Sequence, residues 1–190
     1  MIKGLTIVFI STVFLYFQTN NKNEIFWSAT NKLTWNDYKK VKGKTPNGNA
    51  AITLSYIKYE INRRDNKCVL SIEAFFSKVS SWVGANDTNS RLLLHEQIHF
   101  DIVEIAARKF RKEISEKIKT GKCNIDLKNL KSKYTDIFNK LNNKYDKETN
   151  HSLNKEAQKK WEEELIPKML EELKEYSSTS IEINKCDCIY

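Results

Sequence analysis

Hydrophobic and polar positions follow two different periods along this chain. From Ala51 to Phe76 the period is two: Ile52, Leu54, Tyr56, Lys58 and Glu60 fall on one side, and Thr53, Ser55, Ile57, Tyr59 and Ile61 on the other. That pattern predicts a strand over Ala51 to Asn62 with both faces partly apolar, a turn at Arg63-Arg64-Asp65-Asn66, and a second strand from Lys67 to Phe76. Beyond Asn89 the period becomes helical. Leu92, Leu94, Ile98, Ile102, Ile105, Ala106 and Phe110 form a broad apolar face, predicting one long helix over Asn89 to Lys119. Asp87 or Thr88 is its expected N-cap and Gly121 its stop. Leu130, Tyr134, Ile137, Phe138 and Leu141 predict a second helix over Leu127 to Asn143. Leu153, Ala157, Trp161 and Leu165 predict a third from Ser152, kinked or restarted at Pro167. Residues Glu24 to Asn49 read as mostly irregular, with Leu33-Thr34-Trp35 short and extended and Thr45-Pro46-Asn47-Gly48 a turn. Ser80 to Asn86 reads as the connection into the long helix. The expected class is therefore α+β: a small antiparallel sheet packed on a long helix, followed by two further helices.

The long helix carries His95-Glu96-Gln97-Ile98-His99. Residues four apart share a helix face, so His95 and His99 can aim both imidazoles at one metal ion. Glu96 sits about 100° round the helix, where it reaches a water beside the metal and not the metal itself. Neutral imidazole suits Zn2+, and zinc with an open position lowers the pKa of its water to about 7. A histidine on a buried helix side is commonly just a hydrogen-bonded core residue. The pair with an intervening acid weighs against that reading, because three polar groups beside an apolar face are costly unless something binds them.

Such a site needs a third protein ligand. Asp101 and Glu104 project roughly 140° and 160° away from the two histidines. They read as surface or supporting carboxylates, with Glu104 four residues before Arg108, the favourable order for an ion pair. The remaining histidine, His151, lies in Tyr145-Asp146-Lys147-Glu148-Thr149-Asn150-His151-Ser152, where a new helix is expected to begin. His151 is the expected third metal ligand, with Asp146 and Glu148 in reserve. Tyr145, six residues earlier, is a candidate hydrogen-bond donor to the oxyanion of a tetrahedral intermediate.

Several blocks in order resemble a family. Phe26-Trp27, Leu33-Thr34-Trp35-Asn36-Asp37-Tyr38 and Ala50-Ala51-Ile52-Thr53 precede Leu94-His95-Glu96-Gln97-Ile98-His99-Phe100-Asp101-Ile102, Glu104 and Ala107-Arg108. Tyr145-Asp146, Thr149, His151, Gln158 and Trp161 follow. Together they resemble the bacterial family catalogued as domain of unknown function 922, described as secreted zinc proteases. The resemblance implies a zincin-like metallopeptidase with a sheet over the metal helix, and leaves the substrate open. Where the family carries a glycine after the last histidine, this chain has Ser152.

The setting follows from the termini, cysteines and charge. Lys3 precedes an apolar run from Leu5 to Phe17, about 13 residues, which matches a signal-peptide core and is short of the roughly 20 needed for a membrane span. Residues 1–19 are thus expected to be a signal peptide or N-terminal anchor and 20–190 a single domain, exported to the periplasm or exterior. Cys68, Cys123, Cys186 and Cys188 fit an oxidising compartment and allow three disulfide pairings. Net charge is +8, yet Arg111-Lys112-Glu113 and Lys159-Lys160-Trp161-Glu162-Glu163 interleave the signs. Such mixing describes solvated helix faces, and nucleic acid is not an expected partner. The reading is a zinc-dependent peptide or protein hydrolase with Glu96 as general base. Its rivals are an amidase or endopeptidase of cell-wall peptides, and a non-enzymatic envelope binding module with a structural metal.

Overall fold

The protein is α+β. Its structure, a computed structural model, describes residues 22–42, 50–64, 67–122, 124–184 and 189–190. The expected leader, the Thr45 to Gly48 turn and Cys123, Cys186 and Cys188 lie outside the described residues. No described helix is long and apolar enough to cross a membrane. Cys68 is buried and is not a free thiol.

The strands, among the described residues, are β1 Glu24–Phe26, β2 Lys39–Val41, β3 Ala51–Ile52, β4 Ser55–Arg64, β5 Lys67–Ser77, β6 Trp82–Gly84 and β7 Ser180–Ile183. The helices are α1 Ser90–Lys119, α2 Leu127–Thr149, α3 Lys155–Lys160 and α4 Ile166–Glu172, with a π turn at Trp161–Leu165 between the last two. β4 and β5 form the predicted hairpin, in register from Ser55 opposite Phe76 to Arg64 opposite Lys67. β1 and β7 both pair with β5 to complete an antiparallel sheet. Opposite residues share a face, so Ile57 with Ala74, Tyr59 with Ile72 and Ile61 with Leu70 present one apolar surface. That surface packs on α1, with Tyr59 meeting Phe110 edge-on at 6.5 Å.

The strand predicted over Ala51 to Asn62 is two strands in different sheets. Between them the Leu54 amide donates to Ser81 Oγ and the Leu54 carbonyl accepts from the Ser77 amide. Those bonds turn the chain out of the hairpin. β3 instead pairs with β6 in a small mixed sheet of order β2-β6-β3, leaving β3 at an edge.

α1 begins one or two residues later than its expected caps, because Asn89 provides the side-chain acceptor for the Leu92 amide. It ends as predicted. Gly121 adopts φ 66°, and the Lys122 amide returns to the Lys117 carbonyl, closing the last turn. The centre of α1 is not amphipathic in its surroundings: every residue from His95 to Arg108 is buried. The sheet covers one side, and a second apolar cluster of Ile98, Ile102, Ile105, Tyr145, Trp161 and Ile166 covers another. The segment before β2 adds a further wall, with Trp27 Nε1 donating to Asp101 and the Leu33 amide donating to Gln97 Oε1.

Asp101 and Glu104, read as surface or supporting carboxylates, are interior groups and each is paired. Asp101 Oδ1 also accepts from Gln97 Nε2 at 2.9 Å. Glu104 Oε1 accepts from Arg108 Nε, the ion pair anticipated from spacing, and from Arg111 Nη2. Arg111 is 1% exposed and also donates to the carbonyls of Ile72 and Tyr176, tying α1 to β5 and the chain after α4. Removing Arg111 leaves Glu104 with Arg108 alone and takes this donor from the Ile72 and Tyr176 carbonyls. Arg111→Leu should lower the stability of the metal-free protein by about 3–5 kcal/mol, measured by urea denaturation.

Candidate metal centre

α2 runs six residues past its predicted end, and this extension builds the site. Apolar residues at Tyr134, Phe138, Leu141 and Tyr145 continue one helical face through to Thr149. Asn142 and Asp146, four apart on that helix, then face His95 and His99, four apart on α1. Three donor atoms converge. Asp146 Oδ1 lies 3.2 Å from His95 Nε2 and 3.1 Å from His99 Nε2, and the two imidazole nitrogens are 3.1 Å apart.

This triangle fits a metal ion. Three donors of a tetrahedral zinc site, each about 2.0–2.1 Å from the metal, stand about 3.3 Å from one another. Both histidines are buried, and Asp146 Oδ1 accepts no hydrogen bond of good geometry. Lone pairs facing one another at this distance repel unless a proton or a cation lies between them. Two nitrogens and one carboxylate oxygen form a donor set suited to zinc.

The two imidazoles are oriented by different means. Asn142 Oδ1 accepts from the His99 Nδ1–H at 2.5 Å, which leaves the Nε2 lone pair for a metal. His95 Nδ1 has no hydrogen-bond partner among the described residues. Its ring is held by stacking on Tyr145, with centroids 4.6 Å apart and planes 26° from parallel. Tyr145 in turn meets His99 edge-on at 5.1 Å and Trp161 at 5.2 Å. The π turn places Trp161 there, with its Nε1 donating to Glu148 Oε2.

Burial and neighbouring charge set the protonation. Burial dominates at His95 and lowers its pKa. Burial also depresses His99, but the Asp146 carboxylate beside its Nε2, the charge of Glu96 and the hydrogen bond to Asn142 outweigh it and raise its pKa. Desolvation opposes ionisation of Asp146, yet the two imidazoles win and hold its carboxyl well below the usual carboxylate range.

The triangle lies at the wall of a cleft of about 220 Å³. His95, Glu96, His99, Asn142, Asp146 and His151 provide its polar lining, while Ala50 to Thr53 and Leu92 line it from β3 and α1. Glu96 therefore faces the same space as the donor atoms, as the motif predicts. Burial, then the Glu96 charge, raises the Tyr38 phenol well above its ordinary value; Tyr38 and Thr53 share a hydrogen bond beside β3.

Two expected site residues are placed differently. His151 does not join the triangle. Its ring is 72% exposed at the cleft rim with Nδ1 3.7 Å from Asp146 Oδ1, and Asp146 occupies the third corner. The reason is the length of α2: Asp146 is still helical, whereas His151 lies beyond the αL cap at Asn150. Tyr145 is 0% exposed and does not line the cleft; its hydroxyl is buried without a partner among the described residues. Burial, then Glu96, raises its pKa far above normal, and its ring packs as a platform behind the histidines. Glu148, the other reserve ligand, is occupied with Trp161. Asn142 was not anticipated, although its spacing of four before Asp146 was a usable signal. The chain matches no protein-family model, no curated protein and no solved structure.

Replacing Asn142 with Leu should weaken zinc binding about 10–100-fold, while Asn142→Asp, which keeps an acceptor for His99, should preserve it. Competition against a chelating dye measures both. Metal must also displace any proton on the donors. Because the His99 pKa is raised, apparent zinc affinity should start to fall above pH 6.5 as the solution is acidified. It should continue at about tenfold per pH unit for each proton displaced, measured by the same competition across pH.

Proposed function

We propose that the protein is a metal-dependent peptide hydrolase, with His95, His99 and Asp146 as ligands of a zinc ion and Glu96 as general base. The observation that carries this reading is the convergence of three donor atoms, 3.1–3.2 Å apart, on a cleft that Glu96 also lines. A zinc ion there supplies Lewis acidity, polarising a carbonyl and making a water easier to deprotonate. Glu96 accepts the water's proton as oxygen attacks the carbonyl carbon, then returns it to the departing amine. Asn142 and Tyr145 hold the two imidazoles in place so that no reorganisation is needed during the reaction.

An extended peptide is the substrate that suits the remaining wall. Among the described residues β3 has β6 on one side only, and residues 50–53 line the cleft beside His95 and Glu96. Ala50 accepts from the Gly84 amide on the β6 side, so the alternation of the strand turns the Ala51 amide and carbonyl towards the open edge. A substrate strand pairing there is held through its backbone with little regard to its side chains. The resemblance to secreted zinc proteases supports the same activity class.

Glu96→Gln should retain zinc and the fold while lowering kcat about 10²–10⁴-fold. Asp146→Ala should weaken zinc binding by more than about 100-fold, beyond the loss typical of an outer hydrogen-bond partner. Tyr145→Phe, which deletes only a buried hydroxyl, should keep turnover. A peptide library and purified peptidoglycan, each with and without chelator, provide the assay. Equal rates for wild type and Glu96→Gln would remove Glu96 from the mechanism.

A further inference from the structure

His151 combines a fixed backbone with an exposed side chain whose Nδ1 approaches Asp146 Oδ1 at 3.7 Å. Its amide donates to the Asp146 carbonyl at 3.0 Å, and Asn154 N returns to the Thr149 carbonyl at 2.8 Å, closing the loop on both sides. Asn150, His151 and Ser152 have φ of 46°, 50° and 71°. Three successive residues with side chains in the left-handed region are uncommon, and strain of this kind collects where a group must be delivered to a set position. What this loop delivers is one imidazole at the cleft rim.

A ligand role for that ring is poorly supported. Its nitrogens fall outside the group of donor atoms that lie within 4.8 Å of one another. A fourth protein ligand would also close the coordination shell, which is the mark of structural zinc sites, whereas catalytic ones keep a position open. The cleft still needs a donor for the oxygen on which charge develops. Tyr145 does not line it and Thr53 shares its hydroxyl with Tyr38, which leaves the Asn142 side-chain amide, fixed against His99 through its carbonyl, and the His151 ring, the exposed member of the lining.

We infer that His151 is a substrate-facing catalytic residue and not a metal ligand, its ring N–H donating a hydrogen bond to the carbonyl oxygen of the scissile bond. This rests on the hydrolase reading above. As the water oxygen bonds to the carbonyl carbon, the π electrons move onto the carbonyl oxygen. His151 stabilises that negative charge by hydrogen bonding, and Glu96 holds the proton taken from water. His151 transfers no proton in this step. An exposed ring can swing towards a bound peptide at little cost, while the anchored backbone keeps it within reach.

The test compares wild type, Glu96→Gln, His151→Ala and His151→Gln, using zinc titration of metal-stripped protein and steady-state cleavage of a quenched peptide selected from a library. The exposed ring can be removed without disturbing the core, which thermal melting checks. His151→Ala should bind zinc within about threefold of wild type, keep KM within about threefold and lose about 10²–10³ in kcat, the usual consequence of removing an oxyanion donor. His151→Gln, which restores an N–H donor, should recover about tenfold or more of that loss. A fall of about tenfold or more in zinc affinity for His151→Ala would make His151 a ligand and overturn the inference. Unchanged kcat would reduce it to an exposed cap residue. Wild-type protein that binds zinc yet cleaves nothing removes the hydrolase reading and this role together. Turnover by wild type that His151→Ala matches removes only the latter.

Discussion

Polar groups buried along the middle of α1 must each find a partner, and most of the structure can be understood as meeting that requirement. Desolvating a carboxylate or guanidinium without compensation costs several kcal/mol, so the middle of the helix cannot carry eight buried polar side chains casually. Gln97 and Asp101 are satisfied by Trp27 and the Leu33 amide, which fastens the N-terminal segment against the helix. Glu104 is satisfied by Arg108 and Arg111, whose remaining donors reach carbonyls on β5, within α4 and after it. His95, Glu96 and His99 are the remainder. They open on the cleft, where Asp146 and Asn142 from α2 face the two imidazoles, and a cation between the donor atoms is the proposed complement.

The same enclosure gives the candidate centre its rigidity. Tyr145 fills the space behind both imidazoles and is itself wedged by Trp161, so neither ring can rotate without opening the second apolar cluster. The π turn has a local reason in this arrangement, since the wider turn sets the indole against the phenol. Rings fixed by packing and one hydrogen bond are held in the arrangement the proposed metal site needs, which would keep the cost of organising it out of a binding step. On the other wall, β3 leaves the long hairpin to pair with β6, and its other backbone edge, unpaired among the described residues, lies beside the donor atoms.

Much of this was legible before any coordinates. Alternation predicted the β4–β5 hairpin, and the 3.6-residue period predicted α1 and its glycine stop, because each of these signals is carried by neighbouring residues. The His95-Glu96-His99 face followed from helix geometry alone. β7 and β1 were not visible, since strands of three or four residues take their stability from the strand they join. The end of α2 was missed although Tyr145 continues its apolar face. That error moved Asp146 off the helix and left His151 as the natural third ligand.

The sequence by itself determined the fold class, the helix that carries two imidazoles and an acid on adjacent faces, and the candidate chemistry, all of which depend on periodicity within one element. Tertiary structure alone decided which group from another element comes within reach. Asp146 or His151, a tyrosine in the cleft or behind it, a carboxylate at the surface or in the core: each of these depends on where two helices cross and which wall closes over them. Such distances are set by packing between segments about 50 residues apart in the chain, and no local pattern encodes them.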